Sequence, residues 1–149
     1  MSASTSDSVV VPCSACKALN RIPRSRLGDV PVCSDCRAHL LGGSPAELGG
    51  ESFDRFVTRC ELPVLVDFWA PWCGPCRTMA PEFAAASKRL ATEAVLAKVD
   101  TEAHGGLGQR YEILSIPTMV LFESGRAVAR RSGALRADDI VAWVRAEIG

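Results

Sequence analysis

Net charge is what this sequence lacks first: 17 basic side chains balance 17 acidic ones over 149 residues. A chain with no positive excess has no electrostatic reason to hold nucleic acid tightly. Aromatic residues are also scarce, 6% of the total. The cations before residue 45, Lys17, Arg21, Arg24, Arg26 and Arg37, are scattered and have little aromatic material beside them on which bases could stack. No apolar run approaches the roughly 20 residues that cross a bilayer. Residues 1–8 are polar and lack the basic-then-apolar layout of a secretory leader. We therefore expect a cytoplasmic protein with neither membrane nor nucleic acid as a partner.

Two kinds of residue are plentiful. Hydrophobic side chains make up 48% of the chain, enough for a real core. Cysteine occurs seven times. In a reducing compartment, cysteines serve as metal ligands or redox groups more often than as structural bridges. Six of them fall into three C-x-x-C pairs, Cys13/Cys16, Cys33/Cys36 and Cys73/Cys76, and Cys60, at the end of the first helix, is left over as a partly buried thiol without function.

The pairs lie in unlike surroundings. Residues 9–41 are broken by Pro12, Pro23, Gly28 and Pro31 and carry too little apolar material to stand alone. Residues 41–45, Leu-Gly-Gly-Ser-Pro, read as a flexible linker ending in a turn. Residues 1–44 are thus expected to form a small module with its linker, and residues 45–149 a second domain. In that second part strands and helices alternate. Ser52 is placed to cap a helix over 53–59. Residues 63–70 form an apolar run suited to a strand buried on both faces. Residues 73–90 read as a long helix with Met79, Phe83 and Leu90 inward and an interruption at Pro81. A second core strand covers 95–99, and a short helical stretch 108–111. Ser124-Gly125 turns a hairpin between 118–122 and 127–131. Residues 138–148 close the chain as an amphipathic helix, with Ile140, Val144 and Ile148 on one stripe and Asp138 and Asp139 near its positive end. The pattern is α/β with a mixed central sheet flanked by helices.

The third pair opens a helix. Disulfide exchange needs one thiolate to attack and a second thiol to release the mixed disulfide. At a helix start, free backbone N–H groups and the dipole favour a negative sulfur. Gly74-Pro75 suits that entrance, because proline fixes φ and its missing N–H is no loss there. Cys73 is read as the exposed nucleophile and Cys76 as the shielded resolving thiol. Asp67 stands alone in the apolar strand before it. A buried carboxyl there holds its proton to higher pH and could take one from Cys76. Lys98 is the matching oddity in the next core strand. A structural ion pair between the two is the plainer alternative.

The first two pairs follow Cys13-x₂-Cys16-x₁₆-Cys33-x₂-Cys36, the spacing of a four-thiolate zinc site. Four protein ligands leave no open position, so one zinc ion held here would be structural. The rival reading is a pair of redox disulfides, or a site that loses zinc when oxidised. His39 is taken as solvated. His104, Glu102 and Asp100 are taken as loop and helix-start residues.

Residues 66–76, Val-Asp-Phe-Trp-Ala-Pro-Trp-Cys-Gly-Pro-Cys, resemble the active-site strand and turn of the thioredoxin family. The likeness continues through Met79-Ala80-Pro81, Lys98-Val99-Asp100, Ser115-Ile116-Pro117-Thr118, Ser124-Gly125 and Ser132-Gly133-Ala134. With the N-terminal cysteines, the whole chain is similar to the zinc-containing bacterial thioredoxin 2 type. That resemblance implies a thioredoxin fold preceded by a zinc-ribbon-like module, and a protein-disulfide reductase with no bound organic cofactor. It implies a cis Ile116–Pro117 bond beside the sulfurs. It also implies a docking face made by Trp72, Gly74, Pro75, Ile116, Pro117, Gly133 and Ala134. Disulfide-containing client proteins and an NADPH-dependent flavoprotein thioredoxin reductase would be the partners, and the protein would be a monomer. A zinc-dependent binding module built on a passive scaffold remains the competing class.

Overall fold

The computed structural model describes residues 7–149, so the expectation drawn from the first eight residues falls largely on positions outside it. The second part of the chain is built on a five-stranded sheet in the order β3-β5-β4-β6-β7. Its strands are β3 (Ala46–Glu47), β4 (Val64–Trp69), β5 (Val95–Asp100), β6 (Thr118–Glu123) and β7 (Arg126–Ser132). β5 runs parallel to β3 and β4, while β6 is antiparallel to β4 and β7. The expected mixed sheet is present.

Central position explains the composition of β4. Val64, Leu65, Val66, Asp67 and Phe68 are all buried, because helices cover both faces. Side chains alternate along a strand, and here they divide two cores. Val64, Val66 and Phe68 join one core with helix α1 (Phe53–Arg59) and Leu107 of the short helix α3 (Gly105–Arg110). Leu65 joins the other with Met79 and Phe83 of α2 (Gly74–Arg89) and with Ile140 and Val144 of α4 (Ala137–Ile148). Asp67 and Trp69 alternate in step with Leu65, on the face that α2 covers.

The N-terminal segment is more ordered and more firmly docked than its composition suggests. It contains a two-stranded antiparallel hairpin, β1 (Ser8–Pro12) and β2 (Leu19–Pro23), followed by a 3-10 turn (Arg24–Asp29). Its apolar residues Val9, Val11, Ile22, Leu27, Leu40 and Leu41 belong to the same core as Phe53, Phe56 and Val66. Two hydrogen bonds to Glu61 fasten the edge: its N donates to Val10 O at 2.8 Å, and its carboxylate accepts from Val10 N at 2.9 Å. Burying several aliphatic side chains at roughly 1.5–3 kcal/mol each supplies the stability the module cannot generate alone.

The stretch expected to be a flexible linker is fixed. Leu41 is buried. Ser87 Oγ donates to Gly43 O at 3.0 Å. Gly42 has φ +73°, and a Cβ there would stand 2.9 Å from Ala91 Cβ. Glycine serves here for close approach to the chain just past the end of α2 rather than for freedom.

Three local details also differ from expectation. Ser52 adopts a helical backbone (φ −89°, ψ −19°) and makes no cap bond; its hydroxyl accepts from Gly49 N at 3.1 Å instead. Helix α2 runs through Pro81 without interruption. The short helix α3 begins three residues earlier than the pattern around Gly108 suggested.

Candidate functional site

Cys73 is the N-cap of α2, and Pro75 lies in its first turn. The two helix-start sulfurs are joined as a disulfide, Cys73–Cys76, with Cα atoms 5.2 Å apart. Cys76 N donates to Cys73 Sγ at 3.2 Å. An orphan N–H of the first helical turn is therefore aimed at that sulfur, where charge appears when the bond opens.

Exposure around the pair is uneven. Trp72 is 66% exposed, and Gly74 and Pro75 are exposed too. The sulfur-bearing residues are both enclosed in this disulfide form, Cys73 at 5% and Cys76 at 2%. The expected contrast between an open and a shielded cysteine is therefore slight in this state. The two pack with Trp69, Ala70 and Ile116 in a small cluster of their own.

The Ile116–Pro117 bond is cis, and Ile116 O lies 3.8 Å from Cys73 Sγ. Gly133 N donates to Pro117 O at 2.9 Å, which ties the end of β7 to this loop. Trp72 lies on the loop before α2, Gly74 and Pro75 open the helix, Ile116 lies on the loop before β6, and Gly133 and Ala134 follow β7; Pro117 is buried.

Asp67 is 1% exposed, and neither carboxylate oxygen has a hydrogen-bond partner. Burial pushes its pKa up to about 7, against a smaller downward pull from the Lys98 charge. Asp67 and Lys98 are register partners on adjacent parallel strands. The lysine does not close an ion pair with the carboxylate. Its Nζ stands 4.2 Å from the centroid of the Trp69 ring, a cation–π contact. The structural ion-pair alternative lacks the contact it requires.

The other two pairs converge separately. The four sulfurs of Cys13, Cys16, Cys33 and Cys36 all lie within 4.8 Å of one another. Each pair is built the same way. Cys13 N donates to Ala18 O at 2.8 Å across a tight turn, and Lys17 N donates to Cys13 O at 2.9 Å. Cys33 repeats this with Ala38 and Arg37 at 2.8 and 2.9 Å. Lys17 and Arg37 both take left-handed backbone, φ 67° and 69°. Backbone N–H groups aim at the sulfurs: Ala15 at Cys13 (3.4 Å) and Asp35 at Cys33 (3.4 Å).

Between the pairs, Cys13 Sγ lies 3.5 Å from Cys36 Sγ, and Cys16 Sγ lies 3.6 Å from Cys33 Sγ. A tetrahedron with metal–sulfur bonds of about 2.3 Å has edges of about 3.8 Å, so the set fits a zinc ion. Asn20 was not foreseen. Its buried amide donates to Cys33 Sγ at 3.5 Å, and its carbonyl accepts from Ser34 N at 3.0 Å. A lone buried polar residue in a strand between two cysteine pairs was the available signal. His39 is exposed and outside the cluster, and Cys60 is buried, its thiol pushed up to about 12 by desolvation. His104 is the N-cap residue of α3, and Asp100 accepts from Glu102 N and Ala103 N, as a loop residue would.

Comparison with known proteins decides the family. The family model described as Thioredoxin matches residues 44–146. The chain belongs to the thioredoxin family. A second family model, described as Thioredoxin 2, N-terminal, matches residues 12–38 and so spans the four clustered cysteines. Thioredoxin C-3 of Corynebacterium nephridii is 43% identical over 136 residues, covering 91% of this chain and 93% of its own. Thioredoxin of Porphyra purpurea is 39% identical over 92 residues, 62% of this chain and 86% of its own. Thioredoxin Y, chloroplastic, of Oryza sativa subsp. japonica is 37% identical over 97 residues, 65% of this chain and 58% of its own.

As a thioredoxin, the chain is a thiol–disulfide oxidoreductase that works by dithiol–disulfide exchange at Cys73 and Cys76. Thioredoxins act on disulfide substrates and are returned to the dithiol by thioredoxin reductase. No helix among the described residues is long and apolar enough to cross a membrane.

Proposed function

We propose that this thioredoxin is a cytoplasmic protein-disulfide reductase whose N-terminal cysteines, Cys13, Cys16, Cys33 and Cys36, hold one structural zinc ion. The observation that carries the reading is the pairing of a helix-start disulfide with a buried, unpartnered carboxyl on the sheet face beneath it.

In the reduced protein the Cys73 thiolate attacks a client disulfide sulfur. A new Cys73–client S–S bond forms, the client S–S bond breaks, and its second sulfur leaves as a thiolate that takes a proton from water. Cys76 then gives its proton to the Asp67 carboxylate and attacks Cys73 Sγ. That step forms the Cys73–Cys76 bond, breaks the Cys73–client bond and releases the remaining client sulfur as a thiolate that takes a proton from water. A carboxyl that titrates near pH 7 can both accept and return a proton in neutral solution. Lys98, held over Trp69, keeps a positive charge near Asp67 and favours its ionised form. The client segment lies along Ile116 and the cis Pro117 loop, against Trp72, Gly74, Pro75, Gly133 and Ala134. Disulfide-bearing proteins are the clients, an NADPH-dependent flavoprotein restores the dithiol, and the protein works as a monomer.

The zinc ion would be held by the four thiolates, with Asn20 and the backbone N–H groups of Ala15 and Asp35 orienting the sulfurs. It would supply cross-linking of two turns that have little core of their own. Residues 1–44 and 45–149 remain the working division of the chain, although they share one hydrophobic core.

The two-step role is tested with Cys76→Ser. Incubated with a disulfide-containing protein, this variant accumulates a mixed disulfide on Cys73, visible by mass spectrometry and reversed by excess thiol. Failure to trap any adduct contradicts the assignment of Cys73 as attacker and Cys76 as resolver.

A further inference from the structure

The N-terminal module carries an unused strand edge. In an antiparallel pair, opposite residues alternate between those that exchange both backbone bonds and those that exchange neither. Val10 uses its N–H and its C=O on Glu61, so its pairing with Arg21 is of the second kind. Pro12 and Leu19, two residues along, pair in the same way, and Pro12 has no N–H to give. The N–H and C=O groups of Leu19 and Arg21 therefore point away from β1. Among the described residues neither finds another backbone partner. Two residues so spaced are what an added strand bonds to.

A groove of about 320 Å³ runs along this edge. Residues Leu19 to Pro23 form one side, and Arg26, Asp29, Pro31 and Val32 stand across it. Its far wall is fixed: Leu40 N donates to Pro31 O at 3.0 Å, and Val32 bridges to His39. Val32 is nevertheless exposed, as is its neighbour Val30. Val30 also sits at φ 53°, a left-handed backbone that is costly for a β-branched residue. Charge on the groove is one-sided. Arg21 and Arg26 line it, and Arg24 is exposed in the same turn; the one acid is Asp29, 3.7 Å from Arg26. Arg21 donates to the uncharged Ser8 hydroxyl, so its charge stays unneutralised.

We propose that this edge and groove dock an extended, acidic segment of a partner protein, added as a third strand to β1–β2. Side chains alternate across a strand, so such a segment turns carboxylates towards Arg21 on one face and apolar groups towards Val32 on the other. Its acids concentrate at the Pro23 end, near Arg24 and Arg26, away from the sulfur that Asn20 touches. A second copy of the chain is the poorer occupant, because edge-to-edge pairing sets these arginines against their own counterparts. Nucleic acid is poorer too, since no aromatic ring lines the groove for a base to stack on. The module is fastened at Glu61, ahead of β4, while Cys73 follows the far end of that strand. Six residues of strand span about 20 Å. An occupant of the groove is therefore expected to leave the thiols free to react.

The test uses the full-length oxidised protein and a labelled eight-residue peptide that alternates valine and aspartate, followed by fluorescence anisotropy. The peptide binds saturably, and added salt weakens it. The same peptide with lysine for aspartate binds at least tenfold more weakly. N-methylation of all the valines, or of all the aspartates, removes the N–H groups of one strand edge, and one of these two peptides loses binding while the other keeps it. Arg21→Glu combined with Arg26→Glu weakens the acidic peptide about tenfold, with zinc content and thermal midpoint unchanged. Should that variant misfold, the methylated pair still decides on the wild-type protein. Absence of binding, equal binding of the lysine peptide, or equal effects of the two methylations overturn the proposal. So does a tighter hold on oligothymidine, which assigns the groove to nucleic acid, or self-association that the peptide abolishes, which assigns it to a second copy. Saturating peptide leaves the reduced protein's rate on a small aromatic disulfide unchanged. Inhibition there places the peptide at the thiols and also overturns the proposal.

Discussion

Cys13-Ser14-Ala15-Cys16 and Cys33-Ser34-Asp35-Cys36 share their spacing with Cys73-Gly74-Pro75-Cys76, yet the sulfurs end in opposite arrangements. In the first two, the residue after the second cysteine takes left-handed backbone, and the chain turns back on itself through paired bonds to Ala18 and Ala38. Sulfurs of one pair then face those of the other, at 3.5 and 3.6 Å. In the third, Pro75 sets a helical φ, the chain continues for 16 residues as α2, and the two sulfurs face only each other. Surroundings extend the contrast. The four-sulfur cluster receives several backbone N–H groups and the Asn20 amide, and among the described residues no unpartnered buried acid accompanies it. The helix-start pair has such an acid on the sheet face beneath it. Spacing brings two sulfurs within reach, and the residues between and after them select metal binding or electron transfer.

Breaking each side of this contrast has separable effects. Cys73→Ser removes the attacking sulfur and should lower disulfide-reduction turnover by roughly a thousandfold or more, while leaving zinc content at one per chain by absorption assay. A variant that retained turnover would move the chemistry elsewhere. Cys33→Ser does the reverse. It removes a buried ligand, and zinc stoichiometry falls to near zero. The thermal midpoint drops by about 5–10 °C, since a structural metal contributes folding free energy directly. Because the apolar residues of the module join the core on the α1 face of the sheet, and only Gly42 and Gly43 at its end touch α2, far from its first turn, turnover stays within about threefold of wild type. A large loss of turnover at unchanged stability would contradict a purely structural site.

Asp67→Asn sharpens the contrast more gently, slowing turnover at pH 7 by about tenfold or more. In wild type the rate of mixed-disulfide resolution rises with pH through about 7, as the carboxyl ionises and becomes a base. The variant lacks that rise. Stability moves the other way. The folded-state pKa of about 7 is above the ordinary carboxylate value near 4, so over that interval the native state retains a proton that the unfolded chain has released. Wild-type stability therefore falls as pH climbs from about 4 to about 7 and levels off above. Denaturant titrations of both proteins at pH 5 and pH 8 check this, with the asparagine variant gaining on wild type at pH 8. Parallel stabilities at the two pH values would contradict burial of an ionisable Asp67.

Sequence alone carried the second domain well, because its signals are local. The unbroken apolar run of β4, the Ser124-Gly125 turn, with φ 53° and 82°, and the amphipathic stripe of α4 each follow from neighbouring residues. The two cysteine constellations were legible for the same reason: ligand and redox spacing are written in consecutive residues. What escaped depends on residues distant in the chain. The hairpin β1–β2 gains its stability from α1 and the sheet, so its own composition understated it. Gly42 and Gly43 read as a free linker because Ala91 and Ser87, more than 40 positions away, are what fix them. Ser52 failed as a cap because Gly49 N took its hydroxyl. Lys98 matched Asp67 by register, but the Trp69 ring holds its ammonium group.

The central claim is that electrons pass only through Cys73 and Cys76 while the other paired cysteines hold a metal. It is tested most directly by differential alkylation. The zinc-loaded, fully reduced protein is allowed to reduce one equivalent of a disulfide client, its free thiols are labelled, and each cysteine peptide is quantified by mass spectrometry. The account predicts that labelling is lost from the peptide containing Cys73 and Cys76 alone, with no zinc released. Loss of label spread over the Cys13/Cys16 and Cys33/Cys36 peptides, with zinc set free in step, would contradict it.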